Sequence, residues 1–118
     1  MRISSSAFGA IQSREAELAG QLPHGMGDLA NVKVAGVQDA DPHERVGTFG
    51  LLVEKHPASL ARALGAKGIY TWNGNFYAQN VVEHLGLDLE EGLLRIGLMH
   101  YNTDREIQRC VEQLGLLV

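Results

Sequence analysis

The run from Gly92 to Cys110 leaves this chain few ways to fold. From Leu93 to Met99 the side chains alternate: Leu94, Ile96 and Leu98 to one face, Leu93, Arg95, Gly97 and Met99 to the other. That period predicts a strand with one buried face. Tyr101-Asn102 supplies a turn. Thr103 then stands three residues before Glu106, the spacing of a capping box, in which each side chain accepts from the other residue's backbone N–H. Ile107, Cys110, Val111 and Leu114 follow at intervals of three and four, an apolar helical stripe. A strand, a tight turn and an amphipathic helix are therefore expected, and the strand delivers one arginine, Arg95, to the face away from the core.

The rest of the chain reads as more of the same grammar. Ser4, Ser5 or Ser6 is expected to cap a helix running to about Gln21. Phe8, Ile11, Leu18 and Leu22 form its apolar side, Glu15 and Glu17 are exposed, and Pro23 to Gly27 ends it. Residues 31–35 alternate Val32 and Val34 with Lys33, a short strand with one wet face. Residues 36–44 are polar and acidic and include Pro42: a loop. Val46 to Val53 is apolar on both faces, so it belongs in the middle of a sheet. Pro57 suits a first helical turn behind His56 as N-cap, with Leu60, Ala61 and Leu64 inward and Gly65 or Gly68 as the stop. Ile69 to Trp72 reads as a strand and Asn73-Gly74-Asn75 as a turn with Gly74 at positive φ. A helix follows with Ala78, Val81, Val82 and Leu85 on one side and Gly86 at its end. Asp88 to Gly92 turns the chain into the last strand.

The element order is thus α-β-β-α-β-α-β-α. It predicts an α+β sandwich, one sheet of about four strands with helices mainly on one face. Residues 1–118 are expected to form a single domain, with 1–30 the helix and its loop and 31–118 the sheet-and-helix core. Trp72-Asn73 is echoed by Tyr101-Asn102, and Glu83-His84-Leu85-Gly86-Leu87 by Glu112-Gln113-Leu114-Gly115-Leu116, at the same spacing. Two copies are too few for a solenoid. Shared strand–turn–helix grammar explains the echo, and it places both aromatic–Asn turns at one end of the sheet.

Composition excludes several classes. The net charge is −4 and no basic block occurs, which argues against nucleic acid as a partner. No apolar stretch approaches the ~20 residues that span a bilayer, so no membrane partner is expected. The N-terminus lacks the apolar run of a signal peptide, and the single cysteine forbids an intrachain disulfide; a reducing cytoplasm is the expected setting. The five histidines form no His-x-x-x-His pair and no cysteine set lies near them, so no metal is expected. Cys110 lies on the apolar stripe of the last helix and reads as a buried structural thiol rather than a nucleophile. Gly25-x-Gly27 lacks a third glycine and a preceding strand, so it is not a dinucleotide fingerprint.

Arg95-Ile-Gly-Leu-Met-His-Tyr-Asn-Thr, with Glu106-Ile107 behind it, resembles the C-terminal signature of class V aminotransferases, in particular their cysteine-desulfurase-like members. Arg45-Val46-Gly47-Thr48-Phe49, the run Val53 to Ala63, Lys67-Gly68-Ile69 and Asn73-Gly74-Asn75-Phe76-Tyr77-Ala78 resemble the small domain of that family, in order. The resemblance covers Arg45 to Leu114 well and Ala7 to Ala35 loosely. It implies a largely antiparallel sheet. It also implies that Arg95 falls on the arginine that binds the substrate's α-carboxylate, a task suited to a planar, always-charged guanidinium. Asn73, Gly74, Asn75 and Tyr77 fall on the active-site loop, and His100 and Asn102, at the second aromatic–Asn turn, are kept as ligand contacts. Tyr77 stands where cysteine desulfurases of the family carry the sulfur-accepting cysteine, and a phenol cannot replace a thiolate there.

Family members hold pyridoxal phosphate as a Schiff base on a lysine, with an acid on the pyridine nitrogen and a phosphate cup. The resemblance places these in a large domain ahead of Arg45. Lys33, Lys55 and Lys67 are the only lysines here, and none stands in a motif resembling the cofactor lysine. The expectation is a stand-alone or truncated small domain that binds no cofactor and is not catalytic alone. Its partner would be the missing large domain or a second copy in a homodimer. Two alternatives stand beside it. One is a repurposed module that holds a small carboxylate through Arg95, Asn73, Asn75 and His100. The other is an interaction protein that docks on a full-length or split relative.

Overall fold

The structure is a computed structural model that describes residues 2–36, 41 and 44–118, with the backbone alone for residues 2–4. The elements are α1 (Arg2–Met26), β1 (Val32–Val34), β2 (Thr48–Val53), α2 (Pro57–Ala66), β3 (Trp72–Gly74), α3 (Gln79–His84), β4 (Leu93–Gly97) and α4 (Asp104–Leu117). The order expected from the sequence is the order observed. The strands form one sheet, β1-β2-β4-β3, with every neighbouring pair antiparallel. This is a small α+β fold, and β2 is central, as its two apolar faces predicted.

The alternation in β4 decides which face is covered. Leu94, Ile96 and Leu98 join Phe49 and Leu51 of β2 and Val32 and Val34 of β1 in the core. Leu18, Leu22 and Met26 of α1, Leu60 and Leu64 of α2, and Ile107, Cys110 and Leu114 of α4 close over the same face. Each fully buried leucine contributes about 1.5–3 kcal/mol relative to exposure, so this single layer of contacts carries most of the fold. Among the described residues the opposite face, with Lys33, Arg95 and Trp72, has no such cover.

Local chemistry sets the ends of the elements. The capping box of α4 forms: Thr103 Oγ1 accepts from the Glu106 N–H at 3.1 Å, and Glu106 Oε2 accepts from the Thr103 N–H at 3.1 Å. Both α2 and α3 end in Schellman motifs, with Ile69 N–H donating to the Leu64 carbonyl and Leu87 N–H to that of Val82. Gly68 and Gly86 supply the left-handed residue, at φ of 77° and 71°.

Several boundaries differ from expectation. Helix α1 begins at Arg2, so Ser5 and Ser6 lie within it rather than at its cap, and it runs past Gln21 through Pro23 to Met26. Met26 is fully buried, and the Gly27 N–H still reaches the Pro23 carbonyl at 2.9 Å. Burial of the last turn outweighs the one bond that proline removes. Phe8 is 72% exposed rather than part of the packed side, and Ile11 is half-buried. Val46 is exposed and β2 starts at Thr48. Strand β3 is Trp72–Gly74, not Ile69–Trp72, because Ile69 is drawn into the end of α2 and the ladder with β4 begins only at Trp72. The turn slides accordingly, to Asn75–Ala78. In α3 Val82 is buried and Val81 is exposed. Most of the acidic loop over 36–44, including Pro42 and His43, lies outside the described residues.

The larger correction concerns the two aromatic–Asn turns. Strands β3 and β4 are antiparallel, so the turn after β3 and the turn after β4 lie at opposite ends of the sheet. Helix α3 has six residues. At 1.5 Å per residue it is too short to return the chain along a strand, so β4 enters from the end that β3 has just left.

Candidate functional site

Arg95 sits mid-strand on the uncovered face of β4, with Gly50 of β2 opposite on one side and Trp72 of β3 opposite on the other. The guanidinium carbon lies 4.3 Å from the centre of the Phe76 ring, a cation–π contact. Among the described residues the Arg95 side chain makes no hydrogen bond and no ion pair. Its N–H donors are uncommitted.

The loop beneath the arginine has an unusual backbone. Phe76 and Tyr77 both take positive φ, 53° and 60°, which costs a residue with a Cβ on the order of 1–2 kcal/mol. Asn75 holds the arrangement: its Oδ1 accepts from the Tyr77 N–H at 3.0 Å and its Nδ2 donates to the Leu89 carbonyl at 3.0 Å. The second bond ties the loop to the turn before β4. There Asp88 Oδ1 accepts from the N–H groups of Glu90 and Glu91 at 2.8 and 3.0 Å. Those backbone bonds, Glu91 first, hold the Asp88 carboxyl below the usual range. Gly92, at φ 64°, closes the turn directly against the Gly74 carbonyl. Together these pieces form an open cleft of about 510 Å³ lined by Trp72, Asn73, Gly74, Asn75, Phe76, Tyr77, Glu90 and Arg95.

The structure therefore brings together Asn73, Gly74, Asn75, Tyr77 and Arg95. His100 and Asn102 do not join them; they lie beyond the far end of β4. The Asn102 side chain is taken up locally: Oδ1 accepts from the Met99 N–H at 2.8 Å and Nδ2 donates to Glu106 Oε2 at 2.9 Å. That bond, with the one from the Thr103 backbone, lowers the Glu106 pKa. His100 Nδ1 lies 3.7 Å from Glu15 Oε1 on α1, and its ring meets Tyr101 edge-on at 5.4 Å. Cys110 is buried in the core, where desolvation pushes its thiol up. Trp72, Phe76 and Glu90 were not singled out from the sequence as site residues. The register of β3 on β4 brings Trp72 to Arg95, the left-handed loop brings Phe76, and the turn before β4 brings Glu90 to the cleft.

The described residues contain no group of three His, Cys, Asp or Glu side chains placed to hold a metal ion. No described helix is long and apolar enough to cross a membrane. No lysine lines the cleft: Lys33 is exposed on β1, Lys55 Nζ donates to the Leu117 carbonyl, and Lys67 caps the C-terminus of α2. These residues do not fit a pyridoxal phosphate held as a Schiff base.

The chain belongs to the aminotransferase class-V family, whose sequence model matches residues 2–110. A probable cysteine desulfurase of Pseudomonas putida is 31% identical over 105 residues, which cover 89% of this chain and 24% of that protein. The cysteine desulfurase of Thermococcus onnurineus, solved in its apo form, superposes with a TM-score of 0.85 at 24% identity, over 99% of this chain and 28% of that one. A variant of C-DES solved with glycine covalently linked to its PLP cofactor has a TM-score of 0.61 at 15% identity, over 94% of this chain and 24% of the other. The chain thus spans about a quarter of the length of these relatives, and it shares with the solved structures the fold described above.

Proposed function

We propose that this chain is the small, carboxylate-gripping part of a class V aminotransferase-type enzyme related to the cysteine desulfurases, and that by itself it is not catalytic. The observation that carries the reading is the state of Arg95. Its donors are uncommitted among the described residues, and it is mounted on a ring that holds the guanidinium without consuming an N–H. Such a group receives a carboxylate through two parallel N–H···O bonds. Asn73 and Asn75 sit in the same cleft, and Asn75 is committed to holding the loop. Tyr77 points its phenol to solvent where the resemblance would set a sulfur-accepting cysteine, so persulfide transfer is not part of the proposal. His100 and Asn102 serve the turn and the contact with α1 rather than a ligand.

The chemistry of bond cleavage belongs, in this reading, to the larger share of the relatives' length that this chain does not span. The exposed first half of α1, around Phe8, is the surface against which that large domain, or a second copy in a homodimer, would lie. A reducing cytoplasm is the setting we propose for a chain with one thiol.

The test is a titration of the chain with L-alanine and propanoate, read by the side-chain N–H resonances of the arginines. Two charge-assisted bonds in an open site give a roughly millimolar affinity. Shifts confined to Arg95 and abolished by Arg95→Gln are expected. Equal binding to the wild type and to Arg95→Gln, or none to either, would sink the proposal. In parallel, borohydride reduction with pyridoxal phosphate should leave no single lysine stoichiometrically labelled.

A further inference from the structure

We infer that the carboxylate gripped by Arg95 carries a flat, apolar body, and that Trp72 is the residue that selects for it. The inference rests on the carboxylate-binding proposal and adds the ligand class: aryl- or indolyl-substituted monocarboxylates, including aromatic amino acids and their keto acids.

Three observations carry it. The first is register. Trp72 is the direct cross-strand partner of Arg95, so the two side chains leave the same face of the sheet with Cβ atoms about 5 Å apart. A group bonded to the guanidinium therefore lies beside the indole. The second is exposure. Trp72 is 66% exposed and takes no part in the core, although an indole is among the largest apolar surfaces a chain can bury. The third is concentration. The chain has seven aromatic side chains of the Phe, Tyr and Trp types, and three of them, Trp72, Phe76 and Tyr77, belong to this one cleft, Phe76 with its ring against Arg95 and Tyr77 with its phenol in solvent. Two of those three hold a left-handed backbone conformation that aromatic residues rarely adopt. Backbone strain of this kind persists at sites where the geometry is used.

The charges narrow the class further. Glu90 also lines the cleft, and an acidic side chain there disfavours a second carboxylate. Monocarboxylates are therefore favoured over dicarboxylates. The cleft, about 510 Å³, has room for a bicyclic ring beside the guanidinium.

Trp72 is the only tryptophan, so emission excited beyond the tyrosine absorption band reports on this cleft alone. The experiment titrates the chain with 3-phenylpropanoate, propanoate and succinate. Ring stacking on Trp72 should favour 3-phenylpropanoate over propanoate by roughly tenfold, with a change in Trp72 emission, and succinate should bind no better than propanoate. Calorimetry on Trp72→Ala, a change at an exposed site checked by circular dichroism, should bring the ratio of the two affinities to about one. Arg95→Gln should weaken both ligands together. Arg95-dependent binding of both acids with equal affinity would overturn the selectivity and leave the carboxylate proposal standing. A preference that survives Trp72→Ala would overturn the role of Trp72. Absence of any Arg95-dependent binding would overturn both proposals.

Discussion

Replacing Gly92 by alanine should damage this fold more than any other single methyl added at a glycine. A Cβ at Gly92 would lie 1.9 Å from the Gly74 carbonyl oxygen, 2.1 Å from its carbon and 2.7 Å from the Asn75 nitrogen. All three are backbone atoms, so no side chain can swing aside. To reach ordinary contact the Gly74–Asn75 segment must retreat by on the order of 1.5 Å. That breaks the pairing of Gly74 with Leu93, worth about 1–2 kcal/mol for one or two backbone bonds. The φ of 64° adds about 1–2 kcal/mol for a residue with a Cβ. Reduced freedom of the unfolded chain returns about 0.4–1 kcal/mol. The net loss is about 1–3.6 kcal/mol, a large part of the ~5–15 kcal/mol that holds a small domain together. Gly68→Ala is the control: its φ is 77° but nothing lies within 4 Å of the added methyl, so it carries the conformational cost alone, about 1 kcal/mol. Urea unfolding of both variants, followed by Trp72 emission and by helical circular dichroism, measures the difference. If Gly92→Ala proves no worse than Gly68→Ala, the interlock of the two turns does not exist as described. If the loss is as expected, the arginine resonances should also report a disturbed Arg95, because the displaced segment leads straight into Phe76.

Four further outcomes are expected. Thr103→Ala should cost about 1 kcal/mol in thermal or urea unfolding, through loss of the α4 capping box. Asp88 and Glu106 have folded pKa values below their ordinary ones, so their contribution is complete above the usual carboxylate range and disappears as the pH falls through the depressed values; the urea midpoint should fall over that acidic window, and less so in Asp88→Asn and Glu106→Gln. Cys110, buried with its thiol pKa raised, should react slowly with a thiol reagent in the native state and fast in urea, and its share of the stability should fade as the pH rises from the ordinary thiol range through the raised value. Sedimentation equilibrium should find a dimer that Phe8→Asp weakens, and a clean monomer at ~100 μM would refute the proposed use of the exposed helix face.

What could be read from the residues, and what could not, follows from the range of the interactions involved. The β4–α4 unit was legible because its signals are local: a period of two, a cap, a period of three and four, each set by neighbours within a turn. The stop at Gly86 was legible for the same reason; for α2 the residues offer Gly65 or Gly68, and the Schellman bonds select Gly68. Strand β3 was misplaced because three residues carry no period, and its limits are decided by which part of β4 remains to be paired. The common end of the two aromatic–Asn turns was an inference from shared grammar, and grammar does not state strand direction; the shortness of α3 does. Arg95 was visible because an alternating strand has only two faces. Its setting was not visible. The cation–π contact depends on Phe76 taking a left-handed conformation that side-chain chemistry disfavours, and that conformation is held from outside the loop, by Asn75 on Leu89 and by Gly92 on Gly74. A site held by such long-range contacts shows no local motif, and its disruption by a methyl at Gly92 should reach Arg95 through the Gly74–Asn75 segment that leads into Phe76.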